Sequence, residues 1–456
     1  MTRSNLLGLV TALGLAFGLA AQDTPGTASG GLTLYEAAEI ALREHPAMEA
    51  VEARQDGAAA SIEAAKAGRL PRIALEESYM RSNNPVFAFG TLLNQRRFGE
   101  ENFAITSLNN PDSVQNFQSL LRVEQVLFDA GRTKQAIRLA RLQTELTSEE
   151  RRRRESEVLL GVVRTYFAVA LAAGNREAAR ETLASAEADL ANAKDRLQAG
   201  MTTRADVLAL EVFLAEAKQQ QIAAKRDEEI AAAALNEALG LDQSTPRAAS
   251  TPLVRATPPT GGLDDYLARA AEHRPDLDQA RIVSSLAEAR TAQAKSALFP
   301  QVVAQGLLEA DKGRFVDQAG GNWLVGAAVK WDVWNGGENR ARLKASRFQE
   351  AASAALRRQA SSRAELAVRR GWAEWQSAAE QLSVAESAVV SAEESLRIVK
   401  NRYEAGLENV TALVGAATSL STARFRRLAA LYGQRTARAA LDHEAGVLTL
   451  ASEAIQ

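Results

Sequence analysis

The chain has 456 residues, is rich in alanine and is only 5% aromatic, which favours thin helical layers over one large conventional core. Its 54 basic and 56 acidic residues give a formal net charge of -2, which excludes a general electrostatic attraction to nucleic acid. Cysteine is absent, and this excludes disulfides, thiolate metal sites, a cysteine nucleophile and an N-terminal lipid-bearing cysteine.

The histidines give no sign of a metal or catalytic site. His45, His273 and His443 lie far apart in the sequence, and the first two stand just before prolines, where a role at a helix end is the simpler explanation. The chain also lacks a Ser/His/Asp set, a phosphate-binding loop and a cluster of metal ligands. The sequence therefore predicts no enzyme, metal site, cofactor or nucleic-acid partner.

The N-terminus is typical of a secretory signal peptide over residues 1–21, followed by a flexible leader at 22–31. Arg3 supplies the positive start, Leu6 to Leu19 the apolar run and Gly18-Leu19-Ala20 the cleavage pattern. The apolar run is short for a membrane span, and no second apolar stretch of 18 residues follows. We therefore expect an exported protein that contacts a membrane by something other than helices.

A first repeat is predicted over residues 32–241. Its early helical pattern is interrupted at Pro46 and ends before Pro71. Strands are predicted at about 72–80 and 117–128, with a long loop at about 82–111 between them. Long helices follow at about 132–199 and 203–240, and the turn between them begins at Gly200. The first helix carries a coiled-coil seam with alternating steps of four and three, made of Ala179, Leu183, Ala186, Leu190, Ala193 and Leu197.

A Pro-rich linker at 242–262 leads to a second repeat at 263–447 and a C-terminal tail at 448–456. The second repeat has strands predicted at about 301–309 and 322–334 and long helices at about 338–405 and 410–446. Pro46 and Pro71 recur at Pro275 and Pro300, shifted by 229 residues, whereas Gly200 recurs at Gly406, shifted by 206. The 23-residue difference predicts that the repeats differ in length only between their two strands.

The fourth predicted strand resembles a membrane strand. Trp323 and Trp331 fall on one face with valines and alanine between them, eight residues apart or roughly 26 Å of strand. This is close to the height of the apolar band of an outer-membrane barrel with an aromatic residue at each rim. A soluble four-stranded sheet packed on helices is the alternative. Four strands cannot enclose a channel, so a shared barrel predicts a homo-oligomer.

The ordered set of motifs, appearing twice, resembles the TolC family of outer-membrane efflux proteins over about residues 32–447. The resemblance rests on the helix start at 32–38, the strand starts Leu70-Pro71 and Phe299-Pro300, and the hairpin tips at 196–200 and 402–406. It implies a mainly helical fold with a small β part, in which two tandem coiled-coil hairpins each carry a β-hairpin. It also implies a homotrimer with a twelve-stranded transmembrane barrel, continued by a helical tunnel in the periplasm.

The resemblance further implies an exit duct of a tripartite efflux or secretion system. Its partners would be outer-membrane lipid, a periplasmic adaptor protein and an inner-membrane transporter, and it would catalyse no reaction. A non-conducting periplasmic coiled-coil scaffold is the alternative from the helical pattern alone. Cargo is not encoded in any recognisable motif of the chain.

Site residues transfer from the family by position. Asp206 and Tyr403 match residues at the periplasmic aperture, and Asp206 has the alternative role of a helix N-terminal carboxylate. Glu408 replaces the basic partner of the family, and Ala412 and Gly415 replace its aspartates, so we expect closure by packing rather than by the usual ion pairs. Adaptor docking is expected at the two tips, which consist of Gly200, Met201, Thr202, Thr203, Gly406, Leu407, Glu408 and Asn409.

Overall fold

The computed structural model of the protein describes residues 31–456, so the signal peptide and nearly all of the leader lie outside the described residues. Both repeats have the same plan of two short helices, a strand, a second strand and two long helices. The first repeat comprises α1 (Leu34–Glu44), α2 (Pro46–Lys66), β1 (Arg72–Ser82), α3 (Pro85–Asn94), α4 (Ile105–Asn109), β2 (Val114–Phe128), α5 (Arg132–Gln198) and α6 (Arg204–Leu239). The second comprises α7 (Leu263–His273), α8 (Pro275–Ser296), β3 (Gln301–Lys312), β4 (Gly320–Lys330), α9 (Glu338–Glu404) and α10 (Val410–Glu444).

Proline and glycine set the element boundaries. Pro46 and Pro275 each occupy the first position of a helix, where the missing N–H is not needed, so α2 begins at Pro46 itself, the residue at which the sequence predicts an interruption of the helical pattern. The long helices α5 and α9 have 67 residues each, or roughly 100 Å. Gly200 and Gly406 follow their ends in the left-handed conformation, at φ 74° and 75°.

The main hydrophobic core lies around the middle of α5. Val162, Val163 and Phe167 are fully buried there, against α1 and α6. The C-terminal tail also packs into this core, with Leu448 3% and Ile455 0% exposed. One described helix, α5, contains an 18-residue window apolar enough to cross a membrane, and half of that window is buried. The core position of these residues accounts for their apolarity.

The linker is tied to this core by Tyr166. Its hydroxyl donates to the Leu32 carbonyl oxygen at 2.6 Å and accepts from the Thr251 amide at 2.8 Å. Leu32 also forms an isolated parallel bridge with Ala249. The linker, which has no helix or strand, therefore runs across the start of the first repeat rather than away from it.

The four strands form one antiparallel sheet in the order β1-β2-β3-β4. Since directly paired residues point to the same side, the register divides the side chains into two faces. The apolar face carries Ile73, Leu75, Tyr79, Phe117, Leu121, Val123, Val302, Leu308, Trp323, Val325 and Val329. The polar face carries Glu76, Ser78, Asn116, Gln118, Arg122, Glu124, Gln305, Glu309, Asp311, Asn322 and Lys330. Glu77 interrupts the apolar face, where its carboxylate accepts a hydrogen bond from the Ser119 hydroxyl at 2.8 Å.

Two expectations about the strands are wrong in detail. The fourth strand ends at Lys330, whose partner Gln301 is the first residue of β3, so Trp331 has no strand residue to pair with. The segment expected as a loop at about 82–111 contains α3, α4 and a short 3₁₀ helix. Helix α3 forms because the Asn84 side chain accepts from the Phe87 amide at 3.1 Å and Pro85 takes the first helical position. The expected fold class, mainly α with a small antiparallel β part, is confirmed.

Candidate channel surfaces at the helical tip and on the sheet

The tip of the molecule is the end at which α5 turns into α6 and α9 turns into α10. A buried cluster joins all four helices there, made of Leu190, Ala193, Val207, Leu210, Tyr403, Val410 and Leu413. Alanine in the α5 seam lets the helices approach closely, and Ala193 is fully buried. The two hairpins of one chain therefore pack as a unit at the tip.

Tyr403 is placed in this cluster, 7% exposed, at the end of α9. The Arg196 guanidinium lies 5.1 Å from its ring centroid and donates to the carbonyl oxygens of Tyr403 at 3.2 Å and Glu404 at 3.1 Å. The buried Tyr403 hydroxyl has no hydrogen-bond partner among residues 31–456. Within one chain, Tyr403 therefore acts through packing and through Arg196.

Asp206 forms a capping box with Thr203, the residue that caps the start of α6. It is the third residue of α6, and its carboxylate accepts from the Thr203 amide at 2.9 Å and from the Thr203 and Thr202 hydroxyls at 2.7 and 2.9 Å. These hydrogen bonds, those of Thr203 first, lower the pKa of Asp206 below its ordinary value. Thr203 returns the interaction, because its hydroxyl accepts from the Asp206 amide at 3.2 Å.

Glu408 pairs within its own turn, with its carboxylate 3.4 Å from Nε of Arg402, and both side chains are partly exposed. The next residue, Asn409, caps α10 by accepting from the Ala412 amide at 2.9 Å. Thr203 and Asn409 are thus the equivalent N-terminal caps of the second helix in the two hairpins. Two of the exposed tip side chains are apolar, namely Met201 at 64% and Leu407 at 71%.

An ion pair between the hairpins escaped the sequence analysis. Lys400 Nζ on α9 lies 2.9 Å from Asp189 Oδ1 on α5, and the Asp189 side chain is only 9% exposed. A buried aspartate on a helix facing a lysine is costly to leave unpaired. The two residues are 211 positions apart, so only the packing of α5 against α9 brings them together.

The two tryptophans expected at the rims of the membrane strand differ in their position relative to β4. Trp323 is 74% exposed and pairs with Leu308, while Trp331 follows β4 and donates its indole N–H to the Leu298 carbonyl oxygen at 3.2 Å. Other exposed aromatic residues lie near each end of the sheet and were not predicted as rim residues. The signal that could have identified them is their position in the repeated motifs or at strand ends. They are Phe128, Phe299 and Trp334 beside the helices, and Tyr79 and Phe315 at the opposite end, where both rings contact the partly buried Phe117.

An exposed apolar face backed by a polar face, joined to long helical hairpins, defines the class of outer-membrane channel proteins with a helical extension. The family model of the outer membrane efflux proteins matches residues 37–241 and 266–447. The chain belongs to this family. The protein is therefore an outer-membrane protein whose helical part extends into the periplasm.

Several known proteins are similar to this chain. Protein CyaE of Bordetella pertussis is 26% identical over 421 residues, which is 91% of this chain and 84% of that protein. The probable efflux pump outer membrane protein TtgC of Pseudomonas putida is 26% identical over 169 residues, 36% of this chain and 34% of its own length.

Solved structures show the same fold. The outer membrane protein VceC of Vibrio cholerae gives a TM-score of 0.74 at 18% identity, covering 91% of this chain and 96% of that chain. The CmeC outer membrane channel of Campylobacter jejuni gives 0.76 at 15% identity, covering 98% and 95%. Among residues 31–456 we find no group of three or more His, Cys, Asp or Glu side chains placed to hold a metal ion.

Proposed function

We propose that the protein is the outer-membrane exit duct of a tripartite export system. The observation that carries the proposal is the division of the sheet into an exposed apolar face and a polar face. In water such a sheet would leave residues such as Leu75 and Val325 exposed at 68% and 77% without a partner. In a bilayer the same side chains face lipid, and the polar face lines an aqueous passage.

Closure of the passage requires other copies of the chain. Among residues 31–456, strands β1 and β4 each pair on one side only, so both edges of this sheet have free backbone groups. Backbone groups at membrane depth must be paired, and a closed barrel is the β structure that pairs them all. Three copies joined edge to edge form a twelve-stranded barrel, which is the trimer that the family resemblance implies.

The helices extend the same threefold arrangement into the periplasm. Exposed apolar side chains run along α6 and α9, including Val212, Ile222, Val384 and Val390 at 60 to 71% exposure. These are surfaces for the neighbouring copies, which complete a helical tunnel. The tip, with Met201 and Leu407 exposed, is the docking end for a periplasmic adaptor, which connects the duct to an inner-membrane transporter. The duct moves cargo and carries out no reaction.

A pair of adjacent substitutions on β4 tests the barrel. Val325 lies on the apolar face and Leu324 on the polar face. In a barrel, Val325→Arg places a charge against lipid at a cost of about 2–4 kcal/mol near the midplane, whereas Leu324→Arg places it in water. We expect the Leu324→Arg protein to reach the outer membrane as a heat-dissociable trimer and the Val325→Arg protein to fail.

Fractionation of the parent protein tests the proposal as a whole. An exit duct is extracted from the outer membrane with detergent, and its deletion sensitises cells to exported compounds. Recovery in the soluble periplasmic fraction, with equal tolerance of both arginine substitutions, would instead support a non-conducting scaffold.

A further inference from the structure

The connection between β1 and β2 is folded back onto the sheet. It spans residues 83–113, whereas the matching connection of the second repeat spans only 313–319. The longer connection contains α3 and α4 and a small core of its own, in which Phe98 contacts Phe89 and Phe103 at centroid distances of 4.7 and 5.0 Å. It is therefore an ordered unit and not a slack loop.

This unit sits on the polar face of the sheet. Ala88, Thr91 and Gln95, spaced on one side of α3, are 1%, 6% and 4% exposed. Gln95 Nε2 donates to the Asn116 side chain and to the Gln115 carbonyl oxygen, both at 2.9 Å. These contacts join the end of α3 to β2.

The contacts continue across the next strand. Asn116 Nδ2 donates to Asp311 Oδ1 on β3, and Asp311 is fully buried. Asn94 Nδ2 reaches Glu309 Oε1 at 3.4 Å, and Gln118 Nε2 donates to the same oxygen at 2.7 Å. Side-chain amides of the connection and of β2 thus surround the two carboxylates of β3.

The unit also lies directly against β4. A Cβ atom added at Gly320 would lie 1.8 Å from the Asn94 carbonyl oxygen, so only glycine fits while the connection is seated. Arg96 Nη2 donates to the Gly321 carbonyl oxygen at 3.0 Å. One connection therefore spans β2, β3 and β4 on the polar side.

From these contacts we propose that residues 83–113 form a lid inside the outward opening of the barrel. The inference rests on the proposed function, because it takes the polar face as the wall of the passage. The helices attach at the opposite end of every strand, so the lid lies at the end facing the cell exterior. Cargo leaves the duct only when the lid swings off the polar face.

The closed position of the lid is stabilised by some of the polar groups at its contact with the sheet and opposed by one of them. Asp311 Oδ2 is buried and has no hydrogen-bond partner among the described residues. A buried oxygen without a partner opposes the closed state, since opening returns it to water. The hydrogen bonds of Gln95 and Arg96 act in the other direction. Because the unpaired Asp311 oxygen and these hydrogen bonds act in opposite directions, the lid can open and close again.

The test uses the lack of native cysteine. Thr91→Cys introduces a single thiol on the buried side of the lid, and a membrane-impermeant maleimide added to intact cells reports its exposure. We expect slow labelling in the otherwise native protein and labelling at least tenfold faster when Gly320→Val is added. Gly321→Val is the matched control, because a Cβ there meets nothing within 4 Å, and it should leave labelling slow.

Two labelling results would overturn the lid. One is an equal labelling rate with and without Gly320→Val, and the other is labelling that occurs only after the cells are permeabilised. If Gly320→Val does not assemble, Gln95→Ala with Arg96→Ala removes the hydrogen bonds without steric pressure and must also speed labelling. Heat-dissociable trimers are assayed in parallel, so that absence of a trimer in the parent protein counts against the proposed function, whereas fast labelling of an intact Thr91→Cys trimer that retains Gly320 counts against the lid alone.

Discussion

The Arg196 guanidinium covers the Tyr403 ring at 5.1 Å from its centroid and at the same time donates to the last carbonyl oxygens of α9. One side chain at the end of α5 therefore caps the neighbouring long helix, where a positive charge also complements the helix dipole. The contact ties the first hairpin to the second at the tip. It involves no carboxylate, in keeping with the absence of the family's aspartates at Ala412 and Gly415.

Replacing Arg196 should loosen the tip. Arg196→Ala removes two charge-assisted hydrogen bonds and the contact with the ring, which together are worth about 1–3 kcal/mol. We expect single-channel recordings of the purified protein in planar bilayers to show a higher open fraction. Arg402→Ala is the control, since Arg402 holds the equivalent position in the second hairpin but forms its ion pair with the partly exposed Glu408. Equal effects of the two changes would contradict a special role for Arg196.

Substitutions at Tyr403 distinguish closure of the tip by packing from closure by hydrogen bonding. Its buried hydroxyl has no partner in the described chain, so Tyr403→Phe removes nothing that one chain uses. If packing holds the tip shut, the Phe variant conducts like the parent protein, whereas Tyr403→Ala leaves a cavity and conducts more. A higher open fraction in the Phe variant would show that the hydroxyl bonds to another copy of the chain.

The Lys400–Asp189 pair should matter for stability. Lys400→Met leaves a carboxylate that is 9% exposed without its partner, at a cost of up to about 3 kcal/mol. We expect a lower thermal midpoint in detergent for this variant. Adding Asp189→Leu to it should recover most of the loss, because an apolar pair replaces the ion pair. A double variant that is no more stable than Lys400→Met alone would contradict this account.

Much of the helical architecture follows from local signals in the sequence. The long helices begin and end within two residues of the expected positions, since Gly131, Gly200, Gly337 and Gly406 mark their ends. The starts of β1 and β3 follow Pro71 and Pro300 directly. These residues act through backbone conformation, which depends little on the rest of the fold.

The features that the sequence does not predict have a common physical origin. Asn84 and Pro85 lie in the segment for which the sequence predicts a loop, although these two residues cap and start α3. Besides its contacts with β2, this segment is fixed on the sheet by contacts with β3 and β4, more than 200 residues away in sequence. The Arg196–Tyr403 contact likewise depends on which helices become neighbours. Tertiary contacts of this kind have no period and no motif.

The adaptor should dock on the exposed apolar tips. Replacing residues 201–203 or 407–409 is expected to abolish export while sparing the trimer, and single changes sharpen the test. Met201→Asp and Leu407→Asp place charge where 64% and 71% exposed apolar side chains offer contact area. Each should weaken adaptor cross-linking at least tenfold. Thr203→Ala is the control for damage to the turn, because it removes a cap rather than a contact surface.

A tip variant that loses the trimer would count against this assignment of the docking end. The trimer should persist because the buried cluster behind the tip contains neither Met201 nor Leu407. Normal export by both aspartate variants would place the docking surface elsewhere on the helices.

Mild acid should destabilise the helical region through His443. Burial lowers the pKa of His443, and its Nδ1 lies 2.8 Å from the Ser156 hydroxyl oxygen. The nearby charges oppose one another, with Glu444 and Glu157 favouring the imidazolium and Arg274 and Arg164 disfavouring it.

Because the folded pKa of His443 is below the unfolded value of about 6.5, the unfolded chain binds more protons than the folded chain as pH falls through 6.5. Stability contributed by the neutral ring is therefore present above pH 6.5 and declines below it, down to the folded pKa. The thermal midpoint should fall more between pH 7.5 and 5.5 in the parent protein than in His443→Gln, and equal declines would exclude His443 as the group responsible.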